Sequence, residues 1–137
     1  MEVRKRINGW FDFYTNASVM KSEVDMNGVK RQLQGQSNYM INSGINFNKK
    51  NNTLNLTYNR IGERISAVGF QGYPDIFENS RDVLDITFLR KLPKGELKLA
   101  IGDIFAQPSI NYQKISNRNL INTNNETTVS LTLNLNL

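Results

Sequence analysis

The last nine residues, Val129-Ser130-Leu131-Thr132-Leu133-Asn134-Leu135-Asn136-Leu137, alternate aliphatic with small or amide side chains without a break. A strand has a side-chain period of two, so Val129, Leu131, Leu133, Leu135 and Leu137 share one face. Ser130, Thr132, Asn134 and Asn136 share the other, and neither face carries a charge. Such a segment demands a sheet that is apolar on one side and wet on the other. A transmembrane strand needs about 9–11 residues of this pattern. A half-buried strand of a soluble sheet displays it too, so the rest of the chain decides.

Five upstream segments repeat the pattern, and none reads as a helix. The first spans about 9–22, with Phe11, Phe13, Thr15, Ala17 and Val19 opposite Asp12, Tyr14, Asn16 and Ser18. The second spans about 38–48, with Tyr39, Ile41, Ile45 and Phe47 opposite Asn38, Asn42, Gly44, Asn46 and Asn48. The third, about 53–65, sets Leu54, Leu56 and Tyr58 against Asn55, Thr57 and Asn59. The fourth, about 82–91, sets Leu84, Ile86 and Phe88 against Asp85 and Thr87. The fifth, about 96–106, sets Leu97, Leu99 and Ile101 against Lys98, Ala100 and Gly102. Pro74, Pro93 and Pro108 all fall between strands, where a missing N–H breaks no ladder.

The connections alternate in length. Asn48-Lys49-Lys50-Asn51-Asn52 and Leu92-Pro93-Lys94-Gly95 are tight turns. The connections at 23–37, 66–81 and 107–126 are long, polar and marked by turn formers such as Asn27-Gly28, Gly35, Gly69, Gly72 and Pro74. Loops beyond ~12–15 residues are uncommon in compact domains. Outer-membrane barrels give them a cause, because their turns on one side of the membrane are short and their loops on the other are long. The aromatic residues fit the same frame. Trp10, Phe11, Phe13 and Phe47 fall at the short-turn end and Tyr39 at the long-loop end, while Tyr58 and Phe88 read as nearer mid-membrane.

Composition excludes several chemistries. The chain has 137 residues, enough for one domain. Its net charge of +5 is scattered, with Arg4-Lys5-Arg6 the densest basic run. A nucleic-acid surface calls for a basic stripe with interleaved aromatics, so no nucleic-acid partner is expected. Neither cysteine nor histidine occurs. That removes disulfides, thiolate zinc sites, histidine-dependent triads and most general acid–base schemes. No catalytic residue, metal site or cofactor is expected, and the chain does not read as an enzyme. No apolar run approaches the ~18 residues of a membrane helix, and no signal peptide is visible at the start. Either the protein is cytoplasmic, or the chain is a piece whose true N-terminus lies elsewhere.

Four runs resemble the C-terminal part of TonB-dependent outer-membrane receptors and related outer-membrane β-barrel proteins. Arg31-Gln32-Leu33-Gln34-Gly35-Gln36-Ser37-Asn38-Tyr39-Met40-Ile41-Asn42 is similar to the family's loop-to-strand junction, with Asn38 where proline is usual. Leu56-Thr57-Tyr58-Asn59-Arg60-Ile61-Gly62-Glu63-Arg64-Ile65 resembles the next rising strand. Asp75-Ile76-Phe77-Glu78-Asn79-Ser80-Arg81-Asp82-Val83-Leu84-Asp85 resembles the loop that re-enters the barrel. Glu96-Leu97-Lys98-Leu99-Ala100-Ile101-Gly102-Asp103-Ile104-Phe105-Ala106-Gln107 resembles the penultimate strand. Such barrels usually finish on an aromatic residue, where this chain has Leu137.

The resemblance implies a location in the outer membrane of a Gram-negative bacterium and a role in ligand or nutrient uptake. It implies a barrel of about 22 strands with an N-terminal plug, so residues 1–137 would be its C-terminal part, without plug or remaining strands. The implied partners are outer-membrane lipid and the rest of the receptor. An energy-coupling protein would be reached only through the missing N-terminal part. The fold class expected is all-β: an antiparallel up-and-down meander of about six long strands, the C-terminal segment of a transmembrane β-barrel. A soluble antiparallel β-sandwich or small-barrel binding module is the alternative. It requires a second sheet over the apolar face.

On the barrel reading the apolar residues named above face lipid. Asp12, Asn16, Asn42, Asn46, Asn55, Asn59, Asp85 and Lys98 face the lumen, either as a substrate path or as a solvated wall. Glu63, Arg64, Asp75, Glu78, Arg81 and Asp82 cluster around the second long connection, as loop salt bridges or as a ligand or calcium site. Lys30, Arg31, Lys114 and Arg118 would lie at the outer surface, paired with lipid phosphates or simply solvated. Open sheet edges and a wide apolar face make aggregation the expected fate of the isolated chain in water.

Overall fold

The computed structural model describes residues 1–26, 28–115 and 118–136. Asn27 and Leu137 lie outside the described residues, as does the side chain of Arg118. No described residue is helical. The long strands are β1 (Glu2–Asn8), β2 (Phe11–Val19), β5 (Tyr39–Lys49), β6 (Asn52–Ile61), β9 (Arg81–Leu92), β10 (Gly95–Gly102) and β13 (Thr128–Leu135). They form one seven-stranded sheet in the order β1-β2-β5-β6-β9-β10-β13. Every neighbouring pair is antiparallel, so the sheet is an up-and-down meander with β1 and β13 at its edges.

The structure has the all-β antiparallel meander expected from the sequence, with seven long strands where about six were expected. The extra one, β1, contains the basic run and so does not alternate apolar with polar. Its pairing with β2 makes it a strand, with Arg6 Nε donating to Asp12 at 2.9 Å. The long connections also contain short strands. The first holds a hairpin of β3 (Glu23–Met26) and β4 (Val29–Gln32). The other two hold β7 (Arg64–Ala67), β8 (Ile76–Glu78), β11 (Ser109–Gln113) and β12 (Arg118–Thr123), joined as a four-stranded sheet ordered β12-β11-β8-β7. Their short strands carry too many polar residues to alternate visibly.

This smaller sheet is the upward continuation of the larger one. Ile61 pairs with Arg81, and Arg64 pairs with Glu78, leaving two residues on each strand between the pairs. The register therefore passes from β6–β9 into β7–β8 without a slip. Gly62 lies at the join, and a Cβ there would come within 2.8 Å of the Tyr39 ring. The short connections, at Gly9-Trp10, Lys50-Asn51 and Pro93-Lys94, all lie at the opposite end.

There is almost no buried core. Ile65 is the buried hydrophobic residue, and no large side chain is fully enclosed among the described residues. The accessible surface is 9812 Å². A compact monomer of this mass, 15.7 kDa, would expose about 7,300 Å². The excess of about a third fits a single sheet layer: among the described residues, every apolar side chain of the large sheet is half-buried or exposed.

Candidate functional site

Cross-strand partners point to the same side of a sheet, so the registers sort every side chain of the meander. One row runs Lys5, Phe13, Ile45, Leu56, Ile86, Ile101 and Val129, across all seven strands. The next row toward the short turns is Phe11, Phe47, Leu54, Phe88, Leu99 and Leu131. Leu97 and Leu133 follow it, then Leu135 opposite Gly95. Toward the long loops come Thr15, Ser43, Tyr58 and Leu84, then Ala17, Ile41, Arg60 and Asp82, and then Val19 opposite Tyr39. The apolar residues singled out in the sequence, Leu137 apart, thus occupy one continuous face. Two hydroxyls within it, those of Thr15 and Ser43, satisfy each other at 2.8 Å.

The opposite face collects the polar set. One row is Arg6, Asp12, Asn46, Asn55, Thr87, Ala100 and Ser130. Others align Asn16, Asn42 and Asn59, and Thr57 with Asp85, while Lys98 lies opposite Leu89 and Thr132. Tyr14 covers Gly44 here: a Cβ on Gly44 would meet the Tyr14 ring at 2.3 Å.

Both ends of the apolar face are marked by polar and aromatic groups. At the short-turn end Trp10 packs edge-on against Phe47, with centroids 4.9 Å apart, and Lys49 Nζ lies 5.5 Å from the Trp10 ring centre. Phe88 belongs to this end, in the row of Phe11 and Phe47, rather than to mid-sheet. At the other end Arg60 Nη1 donates to both Asp82 carboxylate oxygens at 3.1 and 3.0 Å. Arg60 Nε donates to the Tyr39 hydroxyl at 3.3 Å, and the Tyr58 hydroxyl donates to Asp82 at 2.7 Å. Tyr58 therefore belongs to this boundary. Arg60 and Asp82 are 22 residues apart in the chain, so only strand pairing reveals the cluster.

The apolar stretch between the boundaries has a definite height. On β6 it runs from Asn52, opposite Arg90, to Arg60, opposite Asp82, a rise of eight residue steps (60 − 52). That is about 27 Å of strand, or about 21 Å of height at a ~40° tilt, near the ~25 Å apolar band of outer-membrane barrels.

Above the boundary the smaller sheet is held by polar contacts. Arg64 makes a two-nitrogen ion pair with Glu78 at 2.7 Å, and Ser109 Oγ donates to the other Glu78 oxygen at 3.0 Å. Burial works to raise the Glu78 carboxyl pKa. Hydrogen bonds from Arg64 and Ser109, with the charges of Arg64 and Arg81, outweigh it and hold the group below its ordinary value. Glu63 accepts hydrogen bonds from Tyr112 and Lys114. Burial first, and then the Glu63 carboxylate, push the Tyr112 phenol up to about 12. Asp75 accepts from Arg31 at 3.4 Å and from the Gly69 N–H at 2.7 Å. The acidic and basic residues grouped by sequence thus divide among four separate ion-pair centres, at Asp82, Glu78, Asp75 and Glu63. Of the four cations placed at the outer surface, Arg31 pairs with Asp75 and Lys114 with Glu63, beside an open cavity of about 410 Å³ also lined by Tyr73 and Phe77. No protein family, curated protein or solved structure matches the chain.

Proposed function

We propose that this chain is barrel wall from a TonB-dependent receptor of a Gram-negative outer membrane, supplying lipid-facing strands and surface loops for ligand uptake. The observation that carries the membrane part is the apolar face. It runs from β2 to β13 with Lys5 of β1 at its margin, has polar and aromatic borders at both ends, and keeps its side chains half-buried or exposed rather than covered. Burying such a face in lipid satisfies it, at roughly 25 cal/mol for each Å² removed from water. The polar face, rich in Asn, suits a water-filled or plugged lumen. The strict long–short alternation supports the same orientation, with the smaller sheet and the β3–β4 hairpin on the outer side.

The receptor part rests on the four residue runs between 31 and 107. In this reading the plug and the energy-coupling segment come from elsewhere in the receptor, and this segment alone transports nothing. A soluble sandwich would need its second sheet on the apolar face. The four-stranded sheet instead extends the strands lengthwise.

The test is cell fractionation after expression with the full upstream gene region, followed by surface proteolysis. Resistance to urea extraction with cuts confined to 23–37, 66–81 or 107–126 is the expected result. A soluble protein resistant to protease throughout would overturn the reading in favour of a binding module.

A further inference from the structure

Among the described residues the half-buried cations are Arg31, Arg60, Arg64 and Arg81. Three of them have carboxylates: Arg31 meets Asp75, Arg60 meets Asp82 and Arg64 meets Glu78. Arg81 makes no side-chain hydrogen bond or ion pair among the described residues. It lines a cavity of about 130 Å³ together with Ile61, Gly62, Arg64, Glu78 and Asn79. The cavity sits where the pairing of Ile61 with Arg81 gives way to that of Arg64 with Glu78. Arg81 lies two residues before Val83, the partner of Asn59, so the period of two puts it on the polar face.

The groups around Arg81 are already committed. Glu78 is held by Arg64 on one oxygen and by Ser109 on the other. The Asn79 amide accepts from the Ile110 N–H and donates to the Pro108 carbonyl. Asp82, next in the chain, gives both oxygens to Arg60. Arg81 acts on Glu78 through its charge and makes no bond to it. The charged lining of the cavity, Arg64 and Arg81 against Glu78, therefore sums to +1 (2 − 1). Partial burial of an uncompensated cation costs free energy, and an anion in the cavity removes that cost. We infer that this cavity is a site for one oxyanion group, held by the Arg81 guanidinium with the unused Nη1 of Arg64 as a second donor. Its size limits the occupant. Pockets for whole organic ligands start at about 300 Å³, so this one takes a small ion or a single phosphate or carboxylate group of a larger solute. In a barrel wall Arg81 faces the lumen near the outer mouth, where it meets the anionic group of an entering solute. That role rests on the membrane reading above, and the binding itself does not.

The experiment dialyses the full chain, in an uncharged maltoside detergent at low salt, against radiolabelled inorganic phosphate. Glucose 6-phosphate and glucose are the competitors. Saturable phosphate binding is expected, and glucose should not displace it. Displacement by glucose 6-phosphate assigns the site to an oxyanion on a larger solute, and no displacement assigns it to the free ion. Arg81→Gln should weaken binding about tenfold, the scale of one charge-assisted hydrogen bond. Glu78→Gln should strengthen it several-fold, because the lining then carries two positive charges and no negative one. Lys98→Gln removes the same charge elsewhere on the polar face and should change nothing. Equal binding by the unaltered chain and Arg81→Gln overturns the site, and so do equal losses in Arg81→Gln and Lys98→Gln. Insertion into phospholipid vesicles is measured separately. A chain that binds phosphate and stays out of vesicles ends the membrane reading and keeps the site, whereas an inserted chain that binds no phosphate does the reverse.

Discussion

Below Arg60 and Asp82 the strands meet through backbone ladders and rows of apolar side chains. Above them the same strands are tied by carboxylates, amides and hydroxyls. Asp82 N–H donates to Gln107 Oε1 at 2.9 Å, and Ile110 N–H donates to Asn79 Oδ1 at 2.7 Å. Asn79 Nδ2 donates to the Pro108 carbonyl, and Asn125 Nδ2 to the Gln107 carbonyl. The register continues across the boundary, so backbone geometry is shared and the surroundings differ. Where a sheet can rely on an apolar environment its side chains need only alternate. Where water competes for every group, each link must be a specific pair. The lower region should therefore fail through its side-chain polarity, the upper through its individual contacts.

The sharpest way to break this contrast is to place a charge on each face at the same height. Leu56→Arg should cost about 2–4 kcal/mol of stability in phospholipid vesicles, the toll of a cation at mid-bilayer. The adjacent Asn55→Arg, on the opposite face, should cost far less. Denaturant titration of both variants in vesicles measures the difference, and equal effects would remove the distinction between faces.

Two glycines come next. A Cβ on Gly95 would meet the Asn134 carbonyl oxygen at 2.0 Å, and one on Gly69 the Tyr73 carbonyl oxygen at 2.0 Å. Each alanine variant should lose about 1–3 kcal/mol locally, as overpacking does. Gly95→Ala should unprotect amides of β13 in hydrogen exchange. Gly69→Ala should leave the meander intact and open a protease site within 66–75. The latter turn is tightly specified: Gln71 and Gly72 take φ of 51° and 86°, and the Tyr73 N–H returns to the Phe70 carbonyl at 3.1 Å.

A smaller effect separates the regions by pH. Because folding lowers the Glu78 pKa, this carboxylate stabilises the upper sheet at neutral pH, and the contribution fades as pH falls below 4.5 toward the folded value. Amide exchange in β8 and β11, corrected for intrinsic rate, should accelerate there by a factor matching about 1 kcal/mol or less. Glu78→Gln should flatten the profile, with β5 and β6 unaffected in either protein. At the alkaline end the Tyr112 phenol titrates near 12 when folded, against 10.0 when free. Its contribution is complete below pH 10 and disappears as pH approaches 12, which phenolate absorbance follows. The smallest effect belongs to the polar face, where Asn55→Ala or Lys98→Gln should stay within about 0.5 kcal/mol.

Most of the lower region was legible in the sequence because a period of two is a local signal. Residues such as Leu131, Leu133 and Leu135 declare their common side with no knowledge of their neighbours. β1 was not legible, because Arg4, Lys5 and Arg6 present charge to both faces and only the partner strand fixes their register. The upper sheet was hidden for a different reason. β8 is three residues long and gains its place from Tyr112, Asn111 and Arg64, which lie far away in the chain. The outer boundary was half visible. Tyr39 stood out as an aromatic strand end, but Arg60 and Asp82 become a unit only through a pairing that no spacing rule announces.

The two edges of the meander lead to a parity condition. With every neighbour antiparallel, β1 and β13 both run from the long-loop end to the short-turn end. Joining them directly would create a parallel seam, and so would joining β1 of one copy to β13 of another in a ring about the membrane normal. A closed, wholly antiparallel cylinder therefore requires an odd number of strands from outside these residues, the first and last of them ascending toward the long loops. A single added strand would meet that rule, and an added hairpin would not.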